Sequence, residues 1–296
     1  MKQETKSKLM LILAMSIWGT LGIFRRYIPM SSGMIAFTRG VIGTVFLLLV
    51  ILISRKKIDF KAIRSNLILL VLSGALMAVN WILLFEAYKF TSVATATVCY
   101  YMEPVFVLII SPLLLKERLS PKKILCIIAS LAGMVLVSGV LNMAEFRIGE
   151  IKGVLLGLGA TVLYASVVII NKKLKNIGAY DKTIVQLAVS AITVLPYMLL
   201  AENMTAVEFE PVNIVMLILV GVLHTGVAYA LYFGSMDGIK AQTIALFSYI
   251  DPVVAIILSA LILKEKIGIA EICGAVLVLG STLISELPVF EKRNNN

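Results

Sequence analysis

Charge is scarce in this chain. Only 15% of its 296 residues are Asp, Glu, Lys or Arg, against about 25% in an ordinary soluble protein. There is one histidine, and there are three cysteines and two tryptophans. Each shortage excludes something. One histidine and three scattered cysteines (Cys99, Cys126, Cys273) make no metal-ligand spacing, so the thiols read as buried packing groups. No metal and no cofactor is expected. The chain has no glycine-rich phosphate loop and no Ser/His/Asp or Cys/His constellation, so ATP-driven transport and enzyme chemistry both lack their residues. The formal net charge is +10. Its basic residues fall in short segments between apolar runs, with no groove-reading element, which argues against a nucleic-acid partner.

Hydrocarbon is what the chain has in excess. It is 60% hydrophobic, with a mean hydropathy of +0.99. The apolar residues come in runs of roughly 18–24, about the length that crosses a bilayer as helix. Ten spans are predicted, at 9–28, 32–54, 66–89, 93–115, 121–140, 151–171, 183–201, 212–236, 241–263 and 268–287. The first run resembles a signal peptide in length, but it lacks a small-residue cleavage site and nine more spans follow. The expected fold is an all-α integral membrane protein. With the N-terminus inside, cytoplasmic segments hold nineteen Lys and Arg and outer segments seven. That bias predicts two cytoplasmic termini. Segment 202–211, with three Glu and no Lys or Arg, fits the outside.

One segment occurs twice. Tyr101-Met102-Glu103-Pro104-Val105 runs on to Leu115-Lys116-Glu117-Arg118, and 148 positions later Tyr249-Ile250-Asp251-Pro252-Val253 runs on to Leu263-Lys264-Glu265-Lys266. Nine of the eighteen paired positions from 101 to 118 are identical. The copies sit in spans four and nine, an odd number of crossings apart, so they run in opposite directions. The chain therefore reads as two inverted five-helix repeats, at 1–140 and 150–287, with a cytoplasmic tail at 288–296. Inverted repeats with interrupted central helices are a transporter architecture, because the two halves can exchange roles as inner and outer gates.

Each copy places a carboxylate inside hydrocarbon. A charge there costs about 3 kcal/mol near the bilayer centre, so Glu103 and Asp251 are candidate coupling residues. The rings of Pro104 and Pro252 clash with the carbonyls of Tyr100 and Ser248, and kinks are expected there. Backbone freed in this way is tolerated only inside protein or beside a wet cavity. Tyr101 and Tyr249 flank the acids. Trp18, Asn80, Trp81, Tyr164, His224 and Tyr229 lie at similar depth. Tryptophan and tyrosine usually mark the membrane interfaces, so central rings suggest a pocket wall that stacks on a ligand or holds a cation. For each residue alone, ordinary helix packing is the competing reading. His224 titrates in the range of a proton relay, with a hydrogen-bonded packing role as the alternative. Glu86 with Lys89, and Asp237 with Lys240, have the spacing of ion pairs one helical turn apart. Arg39, in the outer part of span two, is expected to pair with a carboxylate or snorkel, with attraction of an anion as the other reading. Gly133, Gly153, Gly157, Gly159, Gly274 and Gly280 are expected to let helices approach closely.

The run from Pro104-Val105-Phe106 to Leu114-Leu115-Lys116-Glu117-Arg118-Leu119-Ser120, its second copy from Pro252 to Ile267, Trp18-Gly19 and Tyr164-Ala165 together resemble the EamA family of the drug/metabolite transporter superfamily. Lys116 and Lys264 stand where that pattern commonly has glycine. The resemblance covers nearly the whole chain. It implies secondary transport of a small metabolite, often export of amino acids or related compounds, by alternating access. It also implies a cavity lined by spans one, three, four, six, eight and nine. Two central acids lean toward a cationic or zwitterionic ligand. The expected setting is the plasma membrane, the expected partners are a small-molecule substrate and lipid, and the assembly is a monomer or homodimer. Proton coupling, facilitated exchange, a channel and a lipid-linked flippase or accessory subunit stay open as variants.

Overall fold

The computed structural model describes residues 2–25, 28–91, 96, 99–137, 151–201, 210–263 and 268–286. The second charged triplet 264–266, the connection 141–149, most of the acidic segment (202–209) and the tail 288–296 lie outside the described residues, as does part of 92–98.

Every regular element among the described residues is helical. Span one is α1 (Lys2–Gly19) and the short α2 (Leu21–Arg25). Spans two and three are α3 (Ser32–Ile53) and α4 (Phe60–Phe90). The described helix of span four is α5 (Glu103–Leu115), and span five is α6 (Pro121–Val137). Spans six and seven are α7 (Ile151–Lys173) and α8 (Ala179–Ala201). Span eight joins α9 (Pro211–Leu219), a π-helical stretch Val220–Val227 and α10 (Ala228–Ser235). Span nine is broken into α11 (Ala241–Phe247) and α12 (Ile250–Leu263), and span ten is α13 (Ile269–Glu286). Five of these spans have a continuous helical stretch long and apolar enough to cross a bilayer. The other five are divided or shorter.

Local chemistry sets several ends. Asp59 accepts a hydrogen bond from the Ala62 N–H at 2.8 Å, so α4 starts six residues before the hydropathy run. Lys116 ends α5 with φ 57° and ψ 29°. That left-handed cap suits glycine best, yet lysine adopts it here. Glu117 then reaches the start of the other repeat's broken helix, accepting from the N–H of Ala241 at 3.0 Å and of Gln242 at 3.5 Å. A carboxylate suits unsatisfied N–H groups at a helix start.

The packing repeats with the sequence. Spans five and ten pack on each other, as do two and seven, and four and nine. Each of these pairs maps onto itself when the halves are exchanged. Span three on six is matched by eight on one, three on seven by eight on two, and four on six by nine on one. The fold is thus two inverted five-helix repeats. Large apolar side chains such as Ile53, Ile68, Leu113, Leu200 and Ile269 point outward, each at least 79% exposed. Such a surface requires lipid.

Close approach rests on small residues, since lipid supplies no hydrophobic force between helices. A Cβ on Gly133 would lie 2.7 Å from the Gly274 carbonyl oxygen, and one on Gly153 2.6 Å from Thr91 Cγ2. Gly157 meets Cys99, and Gly159 only reaches ordinary contact with Leu83. Gly280 faces open space, so the packing role expected of it is corrected. Cys99 and Cys126 are buried, but Cys273 is exposed on the outer face of α13, which corrects its expected burial. Glu86 and Lys89 pair at 2.5 Å as their spacing predicts. Asp237 pairs instead with the fully buried Lys182 at 3.0 Å, because tertiary burial of a cation outweighs a local exposed pair with Lys240.

Candidate functional site

The two Tyr-x-acid-Pro segments interrupt their helices where they approach each other. Residues 101–102 form a turn before α5, which places Glu103 first and Pro104 second in a new helix. Ser248 and Tyr249 form the corresponding turn, with Asp251 second and Pro252 third in α12. Proline is well tolerated in a first turn, where its missing N–H has no helical partner to lose. Carbonyls at the breaks also accept from side chains, beside the turn bonds from the Met102 N–H to Cys99 and from the Tyr249 N–H to Leu246. Thr161 Oγ1 donates to the Cys99 carbonyl at 2.7 Å, and the Tyr249 hydroxyl to the Tyr101 carbonyl at 3.0 Å. In the second copy, Thr282 Oγ1 donates to the Leu246 carbonyl at 3.3 Å.

The acids occupy unlike surroundings. Asp251 is hydrogen-bonded by the Tyr101 side chain, which crosses from the other repeat. Glu103 is 3% exposed, and its buried Oε1 has no hydrogen-bond partner among the described residues. Tyr249, the repeat mate of Tyr101, lies within electrostatic reach of Glu103 but spends its hydroxyl on the Tyr101 carbonyl. One copy of the motif is therefore latched across the pseudo-symmetry axis and the other is not.

Beside Glu103 lies a cluster of rings. Trp18 meets Tyr229 edge-on at 4.9 Å and Tyr232 at 5.0 Å. Tyr164 stacks on Tyr232 at 6.2 Å with 7° between planes, and on Tyr100 at 5.7 Å. Trp81 lies 6.2 Å from Tyr229, its counterpart 148 positions on. Such contacts add about 0.5–1.5 kcal/mol each beyond burial. Tyr100, Tyr164, Tyr229 and Tyr232 belong to spans four, six and eight, and Trp18 and Trp81 to spans one and three. The cluster thus draws on both repeats.

The remaining sequence-selected residues take supporting positions. Asn80 is fully buried; its Nδ2 donates to the Ala160 carbonyl at 2.6 Å, and the Tyr100 hydroxyl faces its Oδ1 at 3.5 Å. His224 lies in the π-helical stretch, with Nε2 2.7 Å from Thr20 Oγ1 and the ring 4.7 Å from Phe24. Its carbonyl accepts from Trp18 Nε1 at 2.8 Å. Tyr249 packs away from the ring cluster, in an apolar group with Met134, Val253 and Val278, and Tyr101 joins the two groups, packing against that one while its ring meets Tyr100 edge-on at 6.1 Å.

Sequence reasoning missed Tyr100 and Tyr232, and it favoured the wrong one of its two readings for the surroundings of Arg39. Tyr232 was legible in principle, since it falls three residues after Tyr229 on the same helix face. Arg39 neither pairs with a described carboxylate nor snorkels. It is 7% exposed, its Nε donates to Thr225 Oγ1 at 2.9 Å, and its guanidinium carbon lies 5.0 Å from the Trp81 ring centroid.

The rings offer stacking faces, the two acids offer titratable carboxyls and Arg39 offers a cation. No group of three or more His, Cys, Asp or Glu that could hold a metal occurs among the described residues.

Known proteins share this fold. The model of the EamA-like transporter family matches residues 5–139 and again 151–286. The uncharacterized transporter YxxF of Bacillus subtilis is 24% identical over 284 residues, covering 96% of this chain and 90% of that one. The uncharacterized transporter YwfM of the same organism is 27% identical over 289 residues, covering 96% and 95%. Human solute carrier family 35 member G1 is 31% identical over 140 residues, 44% of this chain and 38% of its own. A protein crystal structure superposes with a TM-score of 0.85 at 18% identity, covering 95% of this chain and 96% of that one, and so shares the fold. With both five-helix repeats matched, the chain belongs to the EamA-like transporter family and is a multi-pass membrane transporter.

Proposed function

We propose that this protein is a secondary transporter that carries an amino acid or related small amphiphile across the plasma membrane by alternating access, in the direction of export. Both termini face the cytoplasm in this reading. One observation carries it. Two interrupted helices from inverted halves meet at a buried ring cluster, and each brings a carboxylate at its break. A bound molecule there has apolar faces from Trp18, Trp81, Tyr164 and Tyr229, and polar atoms from Asn80 and the central tyrosines. His224 and Thr20 tie span eight to span one beside it. Exchange of the two halves' packing would open the cluster to one side and then the other. Glu103 and Asp251 supply a place for a coupling proton, because both lie at the helix breaks rather than at the lipid-facing surface.

The reading is tested by counterflow in proteoliposomes, with unlabelled amino acid inside and the labelled form outside. Trp81→Ala removes one ring face and the cation–π support of Arg39. Loss of about 1–2 kcal/mol of such contacts predicts roughly tenfold weaker apparent affinity. Wild-type protein that gives no counterflow with any amino acid, amine, nucleoside or vitamin supplied would refute small-metabolite transport.

A further inference from the structure

The buried charges outside the carboxylate pair are not treated alike. Lys182 is fully buried and has Asp237 at 3.0 Å. Lys172 donates to the carbonyls of Met236 and Ile239, both at 2.6 Å. Arg39 has neither an acid nor a carbonyl. Its contacts among the described residues are the Thr225 hydroxyl, which takes Nε, and the face of Trp81. The two Nη nitrogens carry four of the five guanidinium N–H groups and are engaged neither by the Thr225 hydroxyl, which takes Nε, nor by an acid in an ion pair among the described residues. A buried cation without a counter-ion is costly, and a planar fork of free N–H groups matches a carboxylate.

The surroundings fix the fork rather than satisfy it. Thr225 sits in the π-helical stretch and donates its own proton to the Val220 carbonyl at 3.0 Å, so its oxygen is left to accept from Arg39. A Cβ on Gly221 would lie 2.5 Å from Ile42, and one on Gly226 2.6 Å from Phe46, which holds this stretch tightly against α3. Such π segments recur at functional sites. Trp81 lies under the guanidinium, and Tyr229 and Tyr100 lie within its electrostatic reach. Tyr100 is also within reach of Glu103, yet Arg39 and Glu103 do not pair. A cation and a titratable acid thus flank one aromatic surface without pairing.

We infer that Arg39 is the anion-binding residue of the site, and that the transported molecule carries a carboxylate that seats on the Arg39 Nη groups. A single guanidinium with no second cation beside it matches a monoanion, not a phosphate dianion. This deepens the transport reading and rests on it for the word transported; the anion site itself stands on the contacts of Arg39.

The test uses the purified full chain in nanodiscs, with tryptophan emission as the readout, since Trp81 lies beneath Arg39. The probes are aliphatic and aromatic amino acids, each beside its methyl ester and its decarboxylated amine. The expected result is that at least one acid changes the emission and that its ester and amine bind at least about tenfold more weakly, the scale of one charge-assisted contact. Arg39→Gln should erase the acid-over-ester preference, and Arg39→Lys should keep part of it. Equal binding of acid and ester by the wild type, retained preference in Arg39→Gln, or no response to any acid at 10 mM (roughly the weakest affinity worth assigning to a site) overturns the proposal. The wild-type comparison stands even if a variant fails to fold. Failure of the transport reading is distinguishable: the acid preference would persist in binding while proteoliposomes accumulate none of the acids.

Discussion

Glu103→Gln should reduce pH-driven accumulation to the level of protein-free liposomes while counterflow of the same amino acid continues. Glutamine keeps the size and the hydrogen-bonding capacity of the side chain but cannot carry a proton on and off. Glu103 is the informative site because its Oε1 is buried without a partner, so nothing in the present conformation substitutes for it. Asp251 differs, being hydrogen-bonded by Tyr101 from the opposite repeat. If the halves exchange roles, the latch should exchange with them: Tyr249 would leave the Tyr101 carbonyl and bond Glu103, and Tyr101 would release Asp251. Asp251→Asn should therefore also reduce pH-driven flux. Undiminished pH-driven flux in both variants would eliminate proton coupling through these residues and leave facilitated exchange.

The second large effect is steric. Gly19→Ala should lower stability by about 1–3 kcal/mol, the usual cost of forcing extra methyl volume into packed structure, and should slow transport further than the stability loss explains. A Cβ there would lie 2.7 Å from the Asp251 carbonyl oxygen and 2.7 Å from Val254 Cβ. The backbone oxygen belongs to the broken helix of span nine and cannot swing aside as a side chain would. Gly280→Ala is the control. Nothing lies within 4 Å of its added Cβ, and alanine is the better helix former by about 1 kcal/mol, so that variant should be neutral or slightly more stable. A thermal melt of the two variants beside the wild type checks the pair, and equal melting of all three would contradict the close packing of span one on span nine.

The architecture was largely legible in the sequence because hydrocarbon length and repetition are properties of the chain itself. The apolar runs gave the spans, and the doubled segment gave the inverted halves. The site was legible only in part. Depth along a span identified Trp18, Trp81, Tyr164 and Tyr229, which the fold brings together, but the repeat also selected Tyr249, which faces a separate apolar group, and Tyr101, which touches the cluster only at its edge through Tyr100. Depth does not give the rotation of a broken helix about its own axis. Charge partners were less legible still. Asp237 finds Lys182, 55 positions away, because burying a cation makes a partner more valuable than sequence proximity does. The π-helical stretch carries no periodic signal; two glycines, Gly221 and Gly226, are its only local mark.

The account stands on movement of spans four and nine relative to each other, and tying them together tests it most directly. At one end of the site, Gln242 Nε2 lies 3.4 Å from Ser111 Oγ, joining α11 to α5. Cysteines at positions 111 and 242, in a chain whose Cys99, Cys126 and Cys273 are replaced by serine, can be joined through disulfides to a short bis-methanethiosulfonate that spans the reach of the Gln242 side chain, and released again by reduction. Counterflow of the amino acid selected by the binding panel should fall to the protein-free level when the cross-link forms and return on reduction. Counterflow at the full rate with the cross-link intact would contradict alternating access between the two halves.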